Sequence, residues 1–181
     1  KTTLDYMYKS MTALIATYPD LDGFGISAGD GMQRESEGFN NDSGLKTKWT
    51  WDAMGKAVYD YLKVNPTRKF NLIHRGIGSS PELWSEQYAP LKKLPNAISN
   101  YSVKYSQAHM YSTPTPAWTT SAINAIKKQD DKTWLTVRND DYFYINWGDP
   151  QFVRDFMAGI PHKESVTGMY IGSDGYTPTR T

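Results

Sequence analysis

The regular alternation of strand-like and helical segments constrains the fold of this chain more than any other feature. Between short apolar runs lie segments whose apolar residues recur at helical spacing. The later runs follow one another at intervals of roughly thirty residues, which is the length of one βα unit. The predicted strands cover residues 23–28, 69–74, 101–108, 133–138 and 167–172.

Helix-start and helix-stop signals occur between the predicted strands. A first helix is expected from the beginning of the chain to Pro19. Thr50, Ser80 and Asp149 are expected to cap three later helices, and a proline follows both Ser80 and Asp149 at the first helical position. Pro90 should interrupt or end the helix that begins after Ser80.

This alternation predicts an α/β fold with a parallel sheet and right-handed crossovers. An open doubly wound sheet and part of a (β/α)8 TIM barrel both fit. A whole barrel needs about 250 residues, so we expect residues 1–181 to form one (β/α)-repeat domain that is the larger part of a barrel in a longer chain. The stretch "GFGISAGDG" is not followed directly by a helix, as a dinucleotide-binding turn would be.

Composition narrows the function classes. The net charge of +1 gives no indication of a nucleic-acid partner. No run of residues is apolar enough to span a bilayer. The absence of cysteine excludes disulfides, thiol nucleophiles and zinc–thiolate sites, and we predict neither a cofactor nor a metal. We expect a secreted or periplasmic protein whose signal peptide lies outside this segment.

Polar residues of the kinds used in catalysis follow each predicted strand. In parallel α/β folds the carboxyl ends of the strands form the active face, so these side chains are candidates for one site. They are Asp30, His74, Arg75, His109, Arg138, Asn139, Asp140, Asp141, Ser173 and Asp174.

Each of these residues also has an ordinary structural interpretation. Arg138 would neutralise Asp140, a histidine at a strand end would hydrogen-bond a neighbouring loop, and Asp174 would begin an Asp-Gly turn. Asp149 is a typical helix cap. Glu35, in a polar loop, is expected to be solvated. Such groups after all five predicted strands nevertheless favour a functional pocket.

Carboxylates that face each other across an aromatic-rich barrel mouth fit glycoside cleavage. Arg75 and Arg138, together with His74, would hold an anionic sugar group through charge-assisted hydrogen bonds. Neither a G-x-S-x-G elbow nor an H-E-x-x-H motif occurs. Some aromatic side chains that flank this face belong to the core and others would stack on sugar rings. They are Trp84, Tyr111, Trp118, Tyr142, Tyr144, Trp147 and Tyr176.

Segments at four of the predicted strands resemble a known enzyme family. They read "YPDLDGFGISAGDG", "RKFNLIHRG", "YSVKYSQAHMYSTPTP" and "WLTVRNDDY". They are similar to motifs of the alpha-glucuronidase glycoside hydrolases, TIM-barrel enzymes that remove glucuronic-acid branches from xylan with inversion. The resemblance implies that Asp30 is the general acid and Asp140 the base, with Asp141 beside it. It also includes Lys104 on the third strand.

The chain departs from the family pattern at two positions. Asp30 stands where the family has a glutamate, and His109 stands where the family has a carboxylate. These changes indicate a related but distinct family acting on another acidic or neutral glycan. The predicted catalytic residues are Asp30, Asp140, Asp141 and His109; the predicted substrate-binding residues are His74, Arg75, Lys104, Arg138, Asn139, Trp147, Asp174 and Tyr176.

The sequence therefore predicts a glycoside hydrolase that cleaves an acidic plant or algal polysaccharide, uronic-acid-bearing or sulfated. Its partners would be this glycan and the rest of its own chain. Two alternatives stay open. A glycan-binding barrel without catalysis would explain the altered acid and base, and a metal-dependent hydrolase would use His74, His109 and Asp140.

Overall fold

The computed structural model describes residues 2–27, 42–75, 80–105, 114–115, 117–138 and 150–172. Within them the protein is an α/β fold whose strands form one all-parallel sheet. The strands are β1 (Gly23–Ser27), β2 (Phe70–Arg75), β3 (Ala97–Tyr105), β4 (Lys132–Arg138) and β5 (Val166–Gly172). They lie side by side in the same order as in the sequence.

Helices connect each strand to the next, which confirms the predicted alternation. The first helix precedes β1, and a π-helical turn, Trp51–Gly55, joins α2 to α3 without a break. A short 3₁₀ helix, Lys163–Ser165, precedes β5. The α-helices are α1 (Thr2–Thr17), α2 (Ser43–Thr50), α3 (Lys56–Val64), α4 (Pro81–Gln87), α5 (Ala89–Lys92), α6 (Ala117–Lys128) and α7 (Pro150–Gly159).

The chain divides into two compact units, Lys1–Tyr101 and Ser102–Thr181, with the boundary inside β3. The single-domain organisation stays a prediction. Among the described residues, no helix has the length and apolar character that crossing a membrane requires.

Two of the predicted helix signals are confirmed and one is wrong. The Ser80 hydroxyl accepts a hydrogen bond from the Leu83 amide at 3.2 Å, and Pro90 lies in α5, after the break that ends α4. Thr50 does not cap a helix. The helix begins at Ser43, because the Asp42 carboxylate accepts from the Leu45 amide at 2.9 Å and satisfies one of the free donors of the first turn.

The third strand begins earlier than the sequence predicts. Residues Ala97 to Asn100 read as a turn, but they pair as the first part of β3. Asn96 accepts a backbone hydrogen bond from Phe70 at 3.0 Å, and the Asn100 side chain donates to that of Asn71 at 2.7 Å. These hydrogen bonds to β2 stabilise polar residues at the start of the strand. Strand propensity alone would not predict a strand there.

The core of each unit lies between strands and helices. In the first unit Val58 and Leu62 are buried, as the helical spacing predicts. In the second unit Ile123 and Ile126 of α6 are buried, as is Leu135 of β4. Large apolar side chains thus cover one face of the strands in each unit.

Two side chains, one before β2 and one before β3, hydrogen-bond to the turns that precede β1 and β2 in the first unit. The Asn96 amide donates to the carbonyls of Leu62, Asn65 and Arg68 at 3.1, 3.2 and 2.9 Å. The Arg68 guanidinium in turn donates to backbone carbonyls after α1, including that of Tyr18 at 3.2 Å. The amino-terminal ends of these strands are therefore held by specific hydrogen bonds.

We predict that Asn96→Ala lowers the free energy of unfolding by about 2–3 kcal/mol, because partly buried carbonyls lose their donor. Asn96→Asp should be equally damaging, since a carboxylate cannot donate. Urea unfolding measures both. Asn124→Ala, an exposed change on α6, is the control and should stay within about 0.5 kcal/mol of the parent. Equal stability of the Asn96 and Asn124 variants would contradict the role of Asn96.

Candidate functional site

The predicted site residues fall into three groups by what the structure describes. His74 and Arg75 are the last two residues of β2. Lys104 lies on β3 and Arg138 ends β4, and for these two the structure gives the backbone path alone. The remaining predicted residues lie outside the described part of the chain: Asp30, His109, Asn139, Asp140, Asp141, Trp147, Asp174 and Tyr176.

Strand pairing brings the ends of neighbouring strands together within each unit. In the first unit, Ser27 at the end of β1 is the register partner of Arg75 at the end of β2. In the second unit, Arg138 at the end of β4 is the register partner of Gly172 at the end of β5. Each unit thus has two strands whose carboxyl ends lie side by side.

His74 and Arg75 lie on opposite faces of β2, because successive side chains of a strand alternate. Phe70, Leu72 and His74 are buried, whereas the residues between and after them are half-buried. The His74 ring packs on Tyr88, which lies between α4 and α5. His74 therefore faces the helices, and Arg75 lies on the face away from them.

The helix-facing side of the first unit contains a group of aromatic rings packed against one another, here called the aromatic cluster: Trp51, His74, Trp84, Tyr88 and Tyr101. Ring centroids in the cluster are 5.2 Å apart for Trp51 and Tyr88, 5.3 Å for His74 and Tyr88, and 5.5 Å for Trp84 and Tyr101. Such edge-on and tilted contacts add about 0.5–1.5 kcal/mol each to the effect of burial.

The π-helical turn packs closely against the aromatic cluster. A Cβ atom on Gly55 would lie 2.8 Å from both Trp51 Cε3 and Tyr88 Cε1, which is closer than packed carbon atoms approach. The Tyr88 hydroxyl donates to Thr50 Oγ1 at 3.3 Å, immediately before the turn. Insertions of this kind occur often at functional sites; here the turn brings Trp51 and Gly55 against Tyr88.

His74 has an unusual electrostatic environment. The side chain is 0% exposed, and neither ring nitrogen has a hydrogen-bond partner among the described residues. Burial lowers the pKa of His74 to about 4, because the charged imidazolium would lose its hydration without gaining a partner. The imidazole is consequently neutral at pH 7. The indole Nε1 of Trp84 is likewise enclosed without a described partner.

Arg75 has an enclosed donor atom without a described partner. Its side chain is half-buried, its Nε has no hydrogen-bond partner among the described residues, and no ion pair between described residues involves it. The same face of β2 carries the half-buried Ile73 and Asn71, whose side chain accepts a hydrogen bond from that of Asn100. Guanidinium donors form strong charge-assisted hydrogen bonds with anionic groups such as carboxylates.

The described residues do not assemble a metal site. They contain no group of three or more His, Asp or Glu side chains that could hold an ion. Indole and phenol rings surround His74 where a metal would need carboxylate or imidazole partners.

The sequence pattern does not indicate the aromatic cluster. Trp84 is one of the aromatic residues that flank the predicted site, some of which are expected in the core; it is fully buried against Tyr88 and Tyr101, because the register of α4 turns it toward the sheet. The one available signal was Gly55, a glycine inside a helical pattern, which often marks close packing.

The chain matches no protein-family model, and no curated protein is similar to it in sequence. The function must therefore be inferred from the residues and their arrangement.

We predict that Gly55→Ala destabilises the protein by about 1–3 kcal/mol, because the added methyl group must displace Trp51 or Tyr88 from a packed contact. Gly25→Ala is the matched control, since the nearest atom to its Cβ would be at 3.8 Å, an ordinary contact. Thermal unfolding followed by tryptophan fluorescence measures both. A Gly55→Ala protein as stable as Gly25→Ala would contradict the tight packing of the turn.

Proposed function

We propose that this protein is a glycoside hydrolase acting on an acidic polysaccharide, uronic-acid-bearing or sulfated, of plant or algal origin. The observation that carries the proposal is Arg75, a half-buried arginine at the carboxyl end of a parallel strand whose Nε has no partner among the described residues. An anionic sugar group would supply the acceptor oxygens that the described residues do not.

The strand order supports a barrel as the setting of the site. Doubly wound sheets contain a reversal of strand order, and their ligands bind at that point. The five described strands follow one another in sequence order without a reversal. We therefore propose that they form part of a (β/α)8 barrel completed by the rest of a longer chain.

Sequence separation supports the grouping of the proposed residues within each unit. Asp30 is three residues after Ser27 in the sequence, and Ser27 is the register partner of Arg75. In the second unit Asp140 is two residues beyond Arg138, and Asp174 is two residues beyond Gly172, the partner of Arg138.

In the proposed mechanism Asp30 protonates the leaving glycosidic oxygen. Asp140, helped by Asp141 or His109, orients and deprotonates the attacking water. If cleavage inverts the anomeric centre, the acid and base carboxyl groups are roughly 6.5–9.5 Å apart, whereas about 5–5.5 Å corresponds to retention.

The other proposed residues bind the glycan. Arg75 and Arg138 hold the anionic group, and aromatic rings stack on the sugar. A polysaccharide of this kind is met outside the cytoplasm, so export to the periplasm or the medium is part of the proposal. The remaining proposed contacts are Lys104, Asn139, Trp147, Asp174 and Tyr176; His74 is buried on the helix-facing side and has no direct contact with the glycan in this proposal.

We predict that Arg75→Gln weakens binding of a glucuronic-acid-bearing xylo-oligosaccharide by about 10- to 150-fold, the loss expected for a charge-assisted hydrogen bond of about 1.5–3 kcal/mol. Binding of the neutral xylo-oligosaccharide should not change. Titration calorimetry measures both. Arg154→Gln, which alters an exposed arginine bonded to Gln151, is the control. Equal affinities of the parent and Arg75→Gln for the acidic sugar would remove Arg75 from the site.

We predict that Asp30→Asn abolishes hydrolysis of an unactivated glycoside and leaves binding nearly intact, because the amide cannot deliver a proton. Release of reducing ends measures hydrolysis on a panel of uronic-acid oligosaccharides. Glu35→Gln, in the same polar loop, is the matched control and should retain activity. Full activity of Asp30→Asn would exclude Asp30 as the acid. Binding without turnover by the parent protein would favour a non-catalytic glycan-binding module instead.

A further inference from the structure

The end of β2 joins a buried histidine to the proposed anion-binding arginine. His74 lies in the aromatic cluster on the helix-facing side, and Arg75 lies on the opposite side of the same strand end. Adjacent residues of a strand share one stretch of backbone, which sets the directions of both side chains. A displacement of the backbone at His74 would therefore also displace Arg75.

We propose that His74 is a positioning residue that makes this strand end sensitive to acid: the neutral imidazole keeps β2 docked on the aromatic cluster, and the protonated imidazole leaves it and releases Arg75. The inference concerns regulation of the site described above and rests on the anion-binding role proposed for Arg75.

Among the described residues, the surroundings of His74 offer neither a hydrogen-bond acceptor for its ring nitrogens nor a carboxylate in contact with them. Trp84 of α4 and Tyr88, the residue after that helix, lie on the helix side of His74. Trp51 of the π-helical turn packs against the Tyr88 ring. On β1 the register partner of His74 is the apolar Ile26. β3 contributes Tyr101, whose centroid is 6.2 Å from that of His74.

Among the described residues, the ionisable groups in and beside the aromatic cluster are the phenols of Tyr88 and Tyr101, the carboxylate of Glu82 and the ammonium group of Lys92, which lies 6.0 Å from the centroid of the Trp84 ring. Burial raises the pKa of both phenols, so they remain neutral, and Glu82 raises the pKa of Tyr101 further. Burial is what lowers the pKa of His74. A proton on the imidazole would thus have no carboxylate partner among the described residues in the docked arrangement.

The sign of the pH dependence follows from this pKa. In the docked state the imidazole titrates near 4, whereas in the released state it titrates near its ordinary value of 6.5. Above pH 6.5 the docked state keeps its full stability relative to the released state, and this stability decreases as the pH falls from 6.5 toward 4. Each pH unit in this window shifts the equilibrium by as much as about tenfold toward release.

Hydrogen exchange of the whole chain between pH 7 and pH 4 tests the release. After correction for intrinsic rates, amide protection of β2 should fall by as much as about tenfold per pH unit below 6.5. Protection of α1, which lies in the same unit as β2, reports opening of that whole unit in the same samples. A loss shared equally by β2 and α1, or no loss in β2, would overturn the proposal.

Variants assign the effect to His74. His74→Phe keeps an aromatic ring and cannot titrate, so β2 should stay protected at pH 4; His74→Gln provides a second non-titrating variant if the first does not fold. His162→Gln changes an exposed histidine and should behave as the parent does. Persistence of the acid effect in both His74 variants would refute the assignment.

Binding of the glucuronic-acid-bearing xylo-oligosaccharide at pH 7 and pH 4.5 tests the consequence for the site. The affinity of the parent should fall with acid, and that of His74→Phe should fall less, since any effect on the sugar itself is common to both. An equal fall would overturn the positioning role. Absence of binding at either pH would instead overturn the proposed function, and hydrogen exchange then decides the role of His74 separately.

Discussion

The contacts of the Tyr88 ring are the interaction on which the first unit depends. This one side chain packs on His74 of β2, on Trp84 of the preceding helix and on Trp51 of the π-helical turn, and its hydroxyl bonds to Thr50. It joins the sheet to two different helical segments. Because the ring is fully buried, it has no alternative solvated position while these elements stay packed.

The two faces of β2 carry different kinds of side chain. The helix-facing side holds rings and aliphatic groups, and its polar atoms on His74 and Trp84 lack described partners. The other side holds Arg75 and the hydrogen-bonded amides of Asn71 and Asn100. Since consecutive residues belong to different faces, an apolar core and the proposed anion-binding arginine meet at the same strand end. The proposed acid sensitivity of β2 depends on this arrangement.

The two ends of the strands in the first unit also differ in chemistry. Arg68 before β2 and Asn96 before β3 donate to backbone carbonyls of the turns that precede β1 and β2. After β2 stands an arginine whose Nε has no described partner. This difference supports the proposed role of Arg75, because ligands of parallel α/β enzymes bind at the carboxyl ends of the strands.

The sequence by itself determined the element order and the parallel βα arrangement. Periodicity, the Ser80 cap and the helix-breaking prolines depend on local interactions, which a short stretch of sequence records. Tertiary contacts decided the early start of β3, the cap at Asp42 and the burial of Trp84. They also placed His74 among rings contributed by residues far apart in the chain, and put Gly55 against Tyr88. These features depend on side chains that meet only after the helices pack on the sheet, so no local pattern could specify them.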